Sequence, residues 1–120
     1  MECIPDARQG KLRMAALRGS EGVLAFDYET TGLKPDLPEH RIVSCSFCLN
    51  GKDTFSTPIN ESNIKVLSRV LREPGLKKVG SNNKFEERWT MAKMGHVVEN
   101  WYWDTMLAAH YIDNRGGITS

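Results

Sequence analysis

Asp27 and Glu29 are the first residues whose types and spacing suggest chemistry. They stand two positions apart at the end of an apolar run, Val23-Leu24-Ala25-Phe26-Asp27-Tyr28-Glu29. Side chains alternate across a strand, so both carboxylates share one face with the small Val23 and Ala25. Two anions side by side repel each other, and a divalent cation removes that repulsion. Oxygen ligands suit Mg²⁺ or Mn²⁺ rather than zinc. The competing reading is a strand end turning into solvent at Tyr28-Glu29-Thr30, where both acids are only hydrated. Asn82 and Glu86 form a second pair. Their i, i+4 spacing puts them on one helix face, directly after a short strand. Ligands in open α/β sheets gather at the carboxyl ends of strands. Against this, Asn82 can be a simple helix cap, and Glu86 can belong to a solvated face with Glu87 and Arg88.

The elements that must position these residues are legible in outline. Residues 1–22 read as a polar N-terminal arm in which Lys11 to Arg18 make two helical turns ended by Gly19-Ser20. Val23 to Glu29 is apolar at nearly every position before the acids, as in a central strand covered on both faces. Thr30 to Pro35 is a loop. Arg41–Leu49 and Lys52–Thr57 are rich in β-formers and flank Asn50-Gly51, the strongest short signal for an antiparallel hairpin. Asn60 caps a helix with the apolar stripe Ile64, Leu67, Val70 and Leu71, and Pro74-Gly75 stops it. Lys77–Gly80 is a short strand. Asn82–Met94 is a helix with Phe85, Trp89 and Ala92 on its stripe and Gly95 at its C-terminal cap. A short strand lies within Val97–Trp103. Asp104 caps a last helix carrying Leu107, His110 and Tyr111, broken by Gly116-Gly117. Three strands followed by alternating helices and strands predict an α/β fold with a mixed sheet, the order of the ribonuclease-H-like fold.

Composition narrows the classes. The chain has 120 residues, 40% hydrophobic and 26% charged, which fits one folded domain rather than a disordered chain. Sixteen basic and fifteen acidic side chains leave a net charge of +1, which excludes a polybasic, histone-like protein. An enzyme that concentrates acid at its site and base around it remains compatible with this balance. No stretch reaches the ~20 apolar residues of a membrane span. Three cysteines and no signal-like apolar start point to a reducing cytoplasm.

Three blocks carry a resemblance. FDYETTGL (26–33), GSNNKFEERW (80–89) and WDTMLAAHYID (103–113) occur in the order found in the 3′–5′ exonuclease domain of the DNA polymerase I (family A) type, one of the DEDD exonucleases. The short loops and the Glu in the second block are most similar to phage or prophage versions. The match spans 23–120, which reads as a partial 3′–5′ exonuclease domain following the arm. It implies a ribonuclease-H-like mixed sheet: antiparallel strands first, then parallel ones, with flanking helices.

The resemblance also implies two-metal hydrolysis, in which two Mg²⁺ or Mn²⁺ ions about 4 Å apart clamp the scissile phosphate. Asp27 would bridge both ions, and Glu29 would hold the one that activates water. Glu86 would stand where the family has an Asp, one methylene longer. Thr30, Thr31 and Leu33 would hold the terminal nucleotide, with Leu33 against the base, and Asn82 and Lys84 would meet the substrate backbone. The implied substrate is the single-stranded 3′ end of DNA. RNA stays open, because nothing marks a 2′-OH contact. The implied partner is a polymerase domain, with proofreading as the role.

One family feature has no counterpart in this chain. None of Asp6, Asp27, Asp36, Asp53, Asp104 and Asp113 has a Tyr or His four positions earlier. The family's fourth acid, with its water-orienting Tyr or His, lies well downstream of the third block. The expectation is therefore a C-terminally truncated domain, with weak or no activity on its own. The alternative is a non-catalytic nucleic-acid-binding remnant of the same fold, and a third is an α/β domain whose acids are surface charges. Cys45 and Cys48, at i and i+3 in a strand, face opposite ways and read as buried thiols rather than ligands. His40, His96 and His110 are scattered. Trp89, Trp101 and Trp103 read as core. Lys77, Lys78, Lys84 and Arg88 can meet phosphates or form a solvated face, and the sequence does not separate the two.

Overall fold

The computed structural model describes residues 1–102. The third sequence block, the helix expected from Asp104, and His110 lie outside the described residues. The elements run β1 (Glu2–Cys3), α1 (Ala7–Ala15), β2 (Gly22–Thr30), β3 (Ile42–Leu49), β4 (Asp53–Pro58), α2 (Ile64–Val70), β5 (Leu76–Gly80) and α3 (Asn83–Met94). Among the described residues no helix is long and apolar enough to cross a membrane.

Five strands make one mixed sheet in the order β1-β4-β3-β2-β5. β2, β3 and β4 pair antiparallel, while β5 joins the other side of β2 in parallel. This is the expected ribonuclease-H-like arrangement, with one short strand, β1, added parallel to β4. The β3–β4 turn is built as Asn50-Gly51 implies. Asn50 has φ 55° and Gly51 φ 71°, a left-handed pair whose twist matches the flanking strands. The Asn50 side chain also accepts from Val23 N–H, which fastens the turn to β2.

β2 separates two clusters by simple alternation. Leu24, Phe26 and Tyr28 face the larger one, with Phe47, Phe55, Leu67, Leu71, Leu76 and Trp89. Val23 and Ala25 face a smaller one with Cys48 and Val79. Cys45 belongs to the first cluster and Cys48 to the second, so the two thiols do lie on opposite faces. Trp101 stacks on Phe26 at 5.7 Å and is half-buried against the larger cluster.

Several boundaries differ from the sequence reading. Helix α1 begins at Ala7, because the Asp6 carboxylate accepts from Arg8 N–H and caps it earlier than Lys11. Helix α2 begins at Ile64, because Asn60 spends its side chain on a local turn, accepting from the Ser62 amide and hydroxyl. Asn63 takes the cap position and uses its side-chain amide to bond the Pro58 and Ala7 carbonyls. Ala92 faces solvent, whereas Trp89 is buried and Phe85 half-buried. Within 97–102 there is only a bridge of Trp101 to Lys78, not a strand. That bridge consists of Lys78 N–H donating to the Asn100 carbonyl and the Lys78 carbonyl accepting from Tyr102 N–H.

Candidate active site

The site forms where β5 stops. Parallel pairing of β2 with β5 ends at Phe26 and Gly80, so Asp27 is the first β2 residue beyond its neighbour. The chain leaves β5 through Ser81 and Asn82 and turns into α3. Asn82 caps that helix as expected, its side-chain oxygen accepting from Phe85 N–H, and Gly95 closes the other end at φ 79°.

This corner brings two carboxylates together. The Ser81 hydroxyl donates to Asp27 Oδ1 at 2.8 Å and lies 3.3 Å from Glu86 Oε1. Glu86 Oε1 also accepts from Asn82 N–H at 3.3 Å. Asp27 is half-buried, and Glu86 is 0% exposed. A solvated face therefore does not describe Glu86, and it does not describe Glu87 either. Glu87 is half-buried and accepts from Val98 N–H and Trp101 Nε1. Burial of an ionised carboxylate is costly unless polar groups or a cation compensate it.

Two backbone details make the approach of Glu86 to the strand end feasible. A side chain at Gly80 would put its Cβ 2.7 Å from Glu86 Oε1, so the strand must end in glycine for Glu86 to lie there. Behind Glu86, Thr90 donates to the Glu86 carbonyl and shares a 2.7 Å hydrogen bond with the Tyr28 hydroxyl. Burial above all, with Cys45 next, holds the Tyr28 phenol well above its ordinary range, so it is neutral.

Glu29 is outside this pair. It is exposed, two residues further along β2 where β5 no longer runs, a rise of about 7 Å from Asp27. Among the described residues no three His, Cys, Asp or Glu side chains come close enough to hold an ion. The structure joins Asp27 and Glu86 and leaves Glu29 apart. The chemistry of the pair, two carboxylates and a hydroxyl, fits a hard, oxygen-seeking cation.

The expected substrate residues divide. Leu33 is 79% exposed on the loop after β2, an apolar side chain with nothing packed over it. Lys84 and Arg88 are exposed and line a groove with Asn83, Glu87 and Trp101. The threonine hydroxyls are engaged within the loop. Thr30 donates to the Gly32 carbonyl, and Thr31 accepts from Arg41 N–H. Lys78 departs from the sequence reading altogether. Its side chain is 0% exposed and its Nζ donates to the Glu73 carbonyl, so it neither meets phosphate nor forms a solvated face. Burial lowers its pKa to about 8. Sequence reasoning missed Ser81 and the need for Gly80. The only signal was their place, a small pair between a strand and a capped helix.

The fold and the corner at the carboxyl end of β2 and β5 define an α/β nuclease-like domain. A family model described as 3′–5′ exonuclease, of the DNA polymerase A type, matches residues 5–118, and the chain belongs to that family. Among solved structures, the chain is similar to a protein described as the apo form of a nuclease. The TM-score is 0.61 at 15% identity, over 90% of this chain and 49% of the other. It is also similar to Pol1 from M. smegmatis, solved with DNA primer-template and dNTP, with a TM-score of 0.55 at 18% identity over 91% of this chain. The chain spans about half the length of the first and 18% of the second. No curated protein matches it significantly.

Proposed function

We propose that the chain hydrolyses nucleotides from the single-stranded 3′ end of DNA, as the proofreading part of a polymerase, using Mg²⁺ or Mn²⁺ at the Asp27–Glu86 corner. One observation carries this reading. In a chain of the 3′–5′ exonuclease family, two carboxylates far apart in sequence meet across the Ser81 hydroxyl where β5 ends.

Asp27 and Glu86 would hold a divalent cation there, which would supply Lewis acidity to the scissile phosphate. The chain's own residues do the rest. Asp27, half-buried at the strand end, offers its carboxylate from the sheet, and Glu86 offers its own from α3. Glu29, exposed on the same strand, is the remaining carboxylate for a second ion. Leu33 presses on the terminal base, and Lys84 neutralises the phosphate backbone. Thr30 and Thr31, with their hydroxyls used in the loop, act by shaping the turn that presents Leu33. Asn82 fixes the start of α3 and, through its backbone N–H, one oxygen of Glu86.

A second reading, binding of nucleic acid without turnover, is favoured by one observation. Among the described residues no three acids converge. Shortening of 3′-labelled single strands of DNA and of RNA in Mn²⁺ separates the two. Slow shortening of the DNA strand that Asp27→Ala abolishes is the expected result. Binding of the strand without shortening leaves the second reading. Shortening that persists in Asp27→Ala removes the site from consideration.

A further inference from the structure

The Ser81 hydroxyl touches both members of the carboxylate pair. It is exposed, sits on the turn between β5 and α3, and belongs to neither element. A hydroxyl has one proton to donate and lone pairs to accept with. The hydroxyl proton is donated mainly to Asp27 Oδ1 at 2.8 Å and more weakly to Glu86 Oε1 at 3.3 Å, shared between the two acceptors. Asn82 N–H also donates to Glu86 Oε1 and helps to hold that carboxylate in place. Without the hydroxyl, the half-buried Asp27 carboxylate would be free to turn away from the buried Glu86. Asp27 has the room to do so because it stands beyond the last residue of β5.

We infer that Ser81 is a positioning residue, whose hydroxyl holds the Asp27 and Glu86 carboxylates toward one another and so presets the corner for a divalent cation. The inference rests on the exonuclease reading above. Groups that orient metal ligands typically change metal affinity by 10–100-fold when removed. Among the described residues the Ser81 hydroxyl bonds only these two carboxylates, and its side chain is exposed.

The test measures Mn²⁺ affinity of the full chain without nucleic acid, by titration calorimetry, alongside thermal melting without metal. Ser81→Ala is expected to weaken Mn²⁺ binding about tenfold or more, with metal-free melting unchanged. Ser81→Cys, similar in size but a weak donor, is expected to follow it, and Ser81→Thr, which keeps the hydroxyl, to stay near wild type. Equal affinity in wild type and Ser81→Ala overturns the inference, as does a Thr variant as weak as Ala. Wild-type binding that Asp27→Ala abolishes but Ser81→Ala spares sinks Ser81 alone. Absence of Mn²⁺ binding by wild type sinks the metal-site reading together with it.

Discussion

The β3–β4 hairpin and the β5–α3 corner flank β2 on opposite sides and are built to opposite ends. In the hairpin, Phe47 stacks on Phe55 at 4.8 Å and both rings are fully buried. Its turn residues adopt the left-handed conformation their types favour, and its strands pair without interruption from Ser44–Pro58 to Leu49–Asp53. Local preference, pairing and packing all agree there. In the corner, a glutamate is fully buried, two acids face one hydroxyl, and the strand ends in a glycine. Each of these features costs stability in a purely structural domain. The hairpin is the part of the molecule that holds, and the corner is the part that it holds in place.

The sharpest way to separate the two regions is to damage the stable one. Phe47→Ala deletes a fully buried ring and is expected to cost about 3–5 kcal/mol of folding stability, read as a fall in the urea midpoint. Mn²⁺ affinity of the fraction that stays folded is expected to be unchanged. A loss of affinity in folded protein would show that the hairpin shapes the site directly.

Gly80→Ala reverses the emphasis. The new Cβ meets Glu86 Oε1 at 2.7 Å, so the carboxylate must move. A stability loss of about 1–3 kcal/mol is expected, with a disproportionate fall in Mn²⁺ affinity. Unchanged affinity would mean that Glu86 is not needed where the structure places it.

The smallest effect is a pH dependence from Lys78. Its folded pKa, about 8, lies below the ordinary lysine value of 10.5. Above pH 8 the folded protein sheds a proton that the unfolded chain still holds, so stability rises with pH in that window. Tyr28 has the opposite sign. Its raised pKa means that the unfolded chain ionises first, which lowers stability above pH 10. A modest rise in melting temperature between pH 8 and 10 is therefore expected, and Lys78→Met should remove it. A rise that persists in the variant would assign it elsewhere.

Legibility followed the range of the interactions. The hairpin was readable because Asn50-Gly51 fixes a turn within four residues. The Asn82 cap and the Gly95 end of α3 were readable for the same reason, as each acts on its own helix terminus. Asn60 misled because an asparagine can serve a local turn or a helix, and here Ser62 competed for its side chain. β1 left no pattern to read, since two residues are too short for alternation. Lys78 was unreadable, because the burial of its side chain is set by how β5 packs in the sheet and not by its neighbours in sequence.

What the sequence by itself determined was the class and the cast: the mixed α/β order, two acids on one strand face, and an Asn and a Glu on one helix face, in blocks that resemble a known family. Those are matters of period and spacing, which the backbone enforces wherever the chain goes. Which acids meet was decided only by tertiary structure. β5 pairs with β2 as far as Phe26 and no further, so the turn into α3 brings Ser81 and Glu86 to Asp27. Register between distant segments comes from packing over the whole sheet. Ser81 therefore acquires its place between Asp27 and Glu86 only once β2, β5 and α3 are together.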